Sequence, residues 1–342
     1  MRYLPLEEIN EEMFLAHAIF SNDGKILLNK GTRLTPSYVR RLRDMHYSYL
    51  YVYERKDEKW DCTGPISDNI RSEAMGVLWN SLISVIERRA LNTQQITFVL
   101  EGILRDVLQR QDGLFDIIDI KTPDNYIYNH SINVCILSIL MGRQLKLERD
   151  QLKELAIGAF LHDLGKVYLK SSLKKLEELS TQDIAQIKQH TKKGFDILRT
   201  TPGFTIKIAN IAYQHHERED GSGYPLGLIG EDIPLYSKIV ALADSYDAMV
   251  SKRIYRESLW NDQVLIELEK ETPRKYDPEV VSALRQSVAV YPIGSIVQLS
   301  DGQSAVVVEV SSSKTVLQYL EVSAGFSEVR ADLETKIEKR LA

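Results

Sequence analysis

At 342 residues, with 44% apolar and 27% charged side chains, the chain has the make-up of a globular protein of two or three domains. A formal net charge of -5 excludes a surface built for nucleic acid or an anionic membrane, although a local cluster of arginines and lysines can still hold a phosphate. Two cysteines, Cys62 and Cys135, exclude a disulfide framework and any CxxC zinc motif. The opening MRYLPLEEINEEM puts acids where a signal peptide needs an apolar core. The longest apolar run, VCILSILM at 134–141, is about half of the ~18 residues a membrane span requires. The expectation is a cytoplasmic protein with no membrane span and no DNA partner.

Residues 1–57 read as a small α/β module. AHAIF and KILL flank a Ser21-Asn22-Asp23-Gly24 turn and predict two short strands. LTPSYVRRLRDM predicts a helix with Thr35 as N-cap and Pro36 at its first position, and YSYLYVY a strand. Arg40, Arg41 and Arg43 are the ordinary charges of a solvated helix face. Residues 58–112 read as a linker, marked by Gly64 and Pro65, followed by two helices that break near Ala90–Asn92. These helices pack on the next domain or pair with a second copy, giving a homodimer.

Residues 113–290 are almost continuously helical in pattern. LKELAIGAFLHDLGK sets Leu155, Ala159 and His162 on one face, and Gly165 ends the helix. TQDIAQIKQHTKKGFDILR sets Ile184, Ile187, His190, Gly194 and Ile197 on one stripe, so His190 faces the core. In IPLYSKIVALADSYDAMVS, Asp244 stands among apolar neighbours, where a carboxylate is costly without a cation. Beyond Tyr291, residues 291–342 turn to β-branched strands around Asp301-Gly302, a small β module.

Of the seven histidines, His130, His162, His190, His215 and His216 all fall in this one helical region. Singly, each has a plain explanation as a hydrogen-bonded core residue or, for His215 and His216, as part of a polar loop. Together with Asp163 and Asp244 they are too many ligands for one tetrahedral zinc. Imidazole and carboxylate donors suit first-row divalent ions, and two ions sharing a carboxylate and a hydroxide use such a set. Asp163 is the candidate bridge. The chemistry indicated is phosphodiester hydrolysis by a metal-bound hydroxide.

At these residues the sequence resembles the HD-GYP family, a branch of the HD superfamily of helical metal-dependent phosphohydrolases. The resemblance lies in HSINV at 130–134, HDLGK at 162–166, His190, HHEREDGSGYP at 215–225 and ADSYDAM at 243–249. It implies a mainly α fold: a helical HD-type bundle as catalytic domain, with a small α/β N-terminal module and a small β C-terminal module. It implies hydrolysis of cyclic di-GMP to linear pGpG, and in some members on to GMP, with two iron or manganese ions. By position, His130, His162, Asp163, His190, His215, His216 and Asp244 match the family's metal ligands, and Lys166 a lysine beside the scissile phosphate. Arg253 and Arg256 match a basic segment that contacts substrate, with Ile254 where proline is common. Gly223, Tyr224 and Pro225 match a loop thought to shape the pocket or meet partners such as diguanylate cyclases. Tyr126 stands where a third-metal glutamate is found in some members, so two ions are expected.

Two other readings use the same residues: a sensor or adaptor that binds a cyclic dinucleotide without hydrolysing it, and a phosphohydrolase acting on another nucleotide. A zinc deaminase lacks its PCxxC element here, and a zincin its HExxH.

Overall fold

The structure is a computed structural model and describes residues 2–53, 64–109, 126–169, 180–250, 259–292, 295–300, 302–311, 314–319 and 337–340. The chain starts with β1 (Arg2–Pro5), β2 (Phe14–Leu15), β3 (Ile19–Phe20) and β4 (Ile26–Leu28), then α1 (Pro36–Asp44) and β5 (Tyr49–Tyr53). Strands β1, β5 and β2 form an antiparallel sheet in that order, and β3 and β4 pair about the expected turn. Thr35 caps α1 by accepting from the Tyr38 amide, with Pro36 in the first turn. Its three arginines are exposed, whereas Leu42 turns inward onto Leu15, Leu34, Leu50 and Val52.

The hairpin joins two cores: Ile19 and Leu28 side with the N-terminal one. Ala18 and Phe20 pack into the helical body, and Ser72 Oγ donates to the Gly24 carbonyl at 2.6 Å. That body consists of α2 (Asp68–Ile86), α3 (Thr93–Gln109), α4 (Tyr126–Gln144), α5 (Arg149–Leu161), a short 3-10 turn Leu164–Tyr168, α6 (Thr181–Arg199), α7 (Ile206–Gln214), α8 (Leu235–Val250), α9 (Asn261–Lys270) and α10 (Pro278–Arg285). Helices α2 and α3 break at the predicted place and share one core with the helices that follow.

The long apolar run lies in α4, which is buried on every side from Tyr128 to Gly142 and packs on α5, α8 and α10. A helix apolar all round belongs at the centre of a bundle. Each of its fully buried Ile and Leu side chains adds about 2 kcal/mol of burial. Among the described residues no helix is long and apolar enough to cross a membrane.

One predicted face is corrected. On α6 the buried stripe starts only at His190, and Ile184 is 42% exposed, because the first turns of this helix project beyond the neighbours that cover its second half.

The C-terminal strands β6 (Ile296–Leu299), β7 (Ser304–Ser311), β8 (Lys314–Tyr319) and β9 (Ile337–Arg340) form an antiparallel sheet in order β8-β7-β6-β9 over a small core of Val297, Leu299, Ala305 and Val307.

Candidate metal centre

Five helices bring their ends or middles to one buried point. His130 lies one turn into α4, and His162 and Asp163 follow the end of α5. His190 is midway along α6, His215 and His216 end α7, and Asp244 is on α8. His130, His162, Asp163, His190, His215 and Asp244 are buried, and the His216 side chain is 16% exposed. The donor atoms of His130, His162 and Asp244 lie within 4.8 Å of one another, as do those of His190, His215 and His216, and those of His162, Asp163 and His215.

The two oxygens of Asp163 divide these donors. Oδ2 lies 3.4 Å from His162 Nε2 and 3.7 Å from His130 Nε2, while Oδ1 lies 3.5 Å from His190 Nε2 and 3.7 Å from His215 Nε2. One carboxylate thus faces two groups of imidazoles. His130 Nε2 also meets Asp244 Oδ1 at 3.1 Å, and His216 Nδ1 lies 3.7 Å from Asp244 Oδ2.

The backbone fixes which ring nitrogen points inward. His162 Nδ1 lies 2.7 Å from the Ala159 carbonyl, His190 Nδ1 2.6 Å from that of Ile187, and His215 Nδ1 3.1 Å from those of Ile211 and Ala212. A carbonyl only accepts, so each Nδ1 carries the proton and each Nε2 presents a bare lone pair to the centre. The Nε2 atoms of His190 and His215 then face each other at 3.4 Å, lone pair to lone pair. His162 Nε2 and Asp163 Oδ1 are buried without any hydrogen-bond partner. Each such orphan costs about 1–3 kcal/mol. Divalent cations would satisfy all of these atoms at once, so the donor set fits such ions.

Charge state agrees with that fit. Burial would raise the Asp163 carboxyl, but His162, Lys166 and His190 outweigh it and hold the group well below its ordinary range. Asp244 is held down likewise, burial being overcome by His130 and His216. Burial keeps His190 and His215 below the usual imidazole range, aided at His215 by repulsion from its neighbours, and takes His216 down to about 3.

A pH dependence follows for the metal-free protein. His17, beneath Tyr51 in the N-terminal unit, is also pushed down to about 3 by burial. The unfolded chain protonates these four imidazoles below about pH 6.5, whereas the folded chain does not, so the unfolded state binds the extra protons. Stability is therefore full above that pH and is lost as pH falls through it, by up to about 1.4 kcal/mol per pH unit for each such histidine. The melting temperature of chelator-treated protein should drop steadily from pH 7.5 to pH 5.5. A flat profile there would contradict the buried neutral imidazoles.

Three supporting residues carried no assigned role in the sequence reading. Asp247, fully buried one turn after Asp244, meets His130 Nδ1 at 2.7 Å through Oδ2 and accepts from Asn133 Nδ2 at 2.9 Å through Oδ1. It sets the orientation of His130 as the carbonyls set the other rings. Loss of such a partner weakens metal binding by about 10–100-fold. Asp247→Asn should therefore lower metal content per chain at limiting metal, measured by mass spectrometry of the purified protein. Wild-type metal affinity in that variant would refute the role.

Glu217 is the third. Its buried carboxylate accepts from the Leu226 amide at 2.7 Å and the Leu228 amide at 3.0 Å, which ties down the loop after Pro225. In that loop a side chain at Gly223 would have its Cβ 2.5 Å from the Arg218 amide nitrogen and the His216 carbonyl oxygen, so only glycine fits. The close approach lets the Tyr224 amide donate to the His216 carbonyl at 3.2 Å and stacks the Tyr224 ring on the His216 imidazole at 4.6 Å. The Tyr224 ring thus lies against the centre at His216. Lys166 Nζ meets Asp163 Oδ2 at 2.5 Å. Arg253 and Arg256 lie outside the described residues.

Known proteins share these features. The family model described as HD domain matches residues 114–280. Over 222 residues the chain is 33% identical to the cyclic di-GMP phosphodiesterase PA4108 of Pseudomonas aeruginosa, covering 65% of this chain and 53% of that protein. It is 40% identical over 147 residues to the cyclic di-GMP phosphodiesterase response regulator RpfG of Xanthomonas campestris, covering 42% of this chain and 39% of that one. The chain spans about half the length of the curated relatives it matches. Among solved structures, Bd1817, an HDG"Y"P protein from Bdellovibrio bacteriovorus, shares the fold with a TM-score of 0.50 at 18% identity, covering 82% of this chain and 97% of that one. Residues 114–280, with HDLGK and GSGYP set around the same buried centre, thus match the HD domain family.

Proposed function

We propose that the chain is a metal-dependent phosphodiesterase that hydrolyses cyclic di-GMP at a 3'-5' phosphodiester bond, giving linear pGpG. The observation that carries this reading is the Asp163 carboxylate, whose two oxygens face two separate groups of inward-pointing imidazoles. In our reading His130, His162, Asp163, His190, His215, His216 and Asp244 would hold two divalent ions, iron or manganese, with Asp163 the carboxylate common to both groups of imidazoles. Such ions supply Lewis acidity, which polarises a phosphate oxygen and lowers the pKa of water.

The chain's own side chains do the rest. Asp163 and Asp244 stay anionic across the physiological range and offset the cationic charge of the loaded centre. Lys166, held against Asp163, places an ammonium beside the scissile phosphate, where negative charge grows as phosphorus becomes five-coordinate. Tyr224 closes one side and excludes water; burial, with Asp244 and Asp163 near, raises its phenol, so it remains neutral. From their sequence positions, Arg253 and Arg256 meet the substrate's phosphates.

In this reading 113–290 is the catalytic domain, and 1–57 and 291–342 are accessory modules to a cytoplasmic enzyme. The Gly223-Tyr224-Pro225 loop, with Leu226 52% exposed and Ile229 61% exposed beyond it, is the surface for a diguanylate cyclase partner. A homodimer would use the α2–α3 helices.

The test is turnover by anaerobically purified protein with ferrous iron or manganese, alongside metal content per chain. Two ions per chain and release of pGpG are expected. A fully loaded protein that leaves cyclic di-GMP intact would overturn the reading.

A further inference from the structure

The loop tyrosine makes two ring contacts. One face of the Tyr224 ring stacks on the His216 imidazole at 4.6 Å and an interplanar angle of 30°. The ammonium of Lys188 sits over the same ring, 4.7 Å from its centre. Lys188 belongs to α6, two positions ahead of His190, and is exposed. Its ammonium has no carboxylate partner among the described residues.

Lys166 is different. Its ammonium lies 2.5 Å from Asp163 Oδ2, and its side chain is 29% exposed. The site therefore has an inner ammonium held by a carboxylate and an outer one that, among the described residues, is held only by an aromatic ring. At an exposed position a cation–π contact is weak, so the outer ammonium is available to a stronger anionic partner. In a chain of net charge -5, an anionic substrate is drawn to the few places where cations stand uncompensated.

Position decides which phosphate that partner is. Among the described residues Lys188 makes no ion pair with Asp163 or Asp244 and meets the Tyr224 ring, which itself stacks on His216, so Lys188 stands one side chain out from the ligand set. A cyclic dinucleotide brings a second phosphate, linked through its ring to the one being cleaved. We propose that Lys188 is a specificity-determining residue whose ammonium receives this second, uncleaved phosphate. The assignment rests on the function proposed above. It accounts for discrimination between a cyclic dinucleotide and a diester with one phosphate, which gains nothing from Lys188.

The test compares two substrates on the full-length, manganese-loaded protein: cyclic di-GMP and bis(p-nitrophenyl) phosphate, which has a single phosphate. Lys188→Gln keeps much of the side chain and removes the charge, and Lys188→Arg restores it. Metal content and melting temperature show that each variant is folded and loaded. For Lys188→Gln the KM for cyclic di-GMP should rise about tenfold with kcat within about twofold, while kcat/KM for the single-phosphate diester stays within about twofold. Lys188→Arg should recover most of the KM. An unchanged KM for cyclic di-GMP, or equal losses on both substrates, would overturn the assignment and leave the proposed function standing. A wild-type protein that cleaves the simple diester but not cyclic di-GMP would overturn both.

Discussion

Replacing Asp163 by asparagine should reduce turnover of cyclic di-GMP by about a thousandfold or more and strip metal from the protein. The amide keeps the size and shape of the carboxylate but removes its charge and turns one oxygen into a donor. Its NH2 would then compete for lone pairs that otherwise face the centre: His162 and His130 on one side, His190 and His215 on the other. The contact from Lys166 weakens as well, because its ammonium loses an anionic partner. The fold should survive, since Asp163 lies in a turn whose backbone bond, from the Lys166 amide to the Asp163 carbonyl at 2.9 Å, is untouched. The measurements are metal per chain, initial rate and circular dichroism. A variant that keeps both its metal and more than about a tenth of its rate would rule out a central place for this carboxylate.

The second large effect is on stability. Gly165 lies where the 3-10 turn after Asp163 meets α6, and a Cβ there would fall 2.0 Å from the His190 carbonyl oxygen and 2.7 Å from the Gly194 amide nitrogen. Both neighbours are backbone in the middle of a helix, so no rotamer change relieves the clash, and α6 must move away bodily. Overpacking of this severity costs about 3 kcal/mol, which lowers the melting temperature by roughly 10 °C. Gly165→Ala should also lose metal, because the displaced helix carries His190. Thermal melts with metal analysis of the same sample check both outcomes. A melting temperature within a degree or two of wild type would show that α6 does not lie against the turn.

Much of the centre was legible in the sequence for a chemical reason. Histidine is scarce in this chain, and a set of histidines on apolar helical stretches has few uses besides ligation. The helices were legible because burial imposes the 3.6-residue period, and the apolar run at 134–141 falls in the buried α4. The supporting residues were not. Asp247 acts on His130, 117 positions away, and nothing local marks that distance. Glu217 is fixed by two loop amides, and amides occur in every residue, so they leave no trace in composition. Ile184 was misplaced because periodicity reports the direction of a face but not how far its neighbours reach. The strand Ile337–Arg340 is too short to stand out in an amphipathic tail and exists by pairing with β6.

The seat of the N-terminal hairpin has a mechanical consequence. Because Ala18 and Phe20 are sunk in the helical body and Ser72 grips the turn at Gly24, the hairpin and α2 form one lever. The far arm of that lever bears Trp79, whose ring leans on Tyr128 at 5.7 Å, two positions ahead of His130. An unbroken line of packing thus runs from the first fifty residues to the root of the helix that supplies the first imidazole.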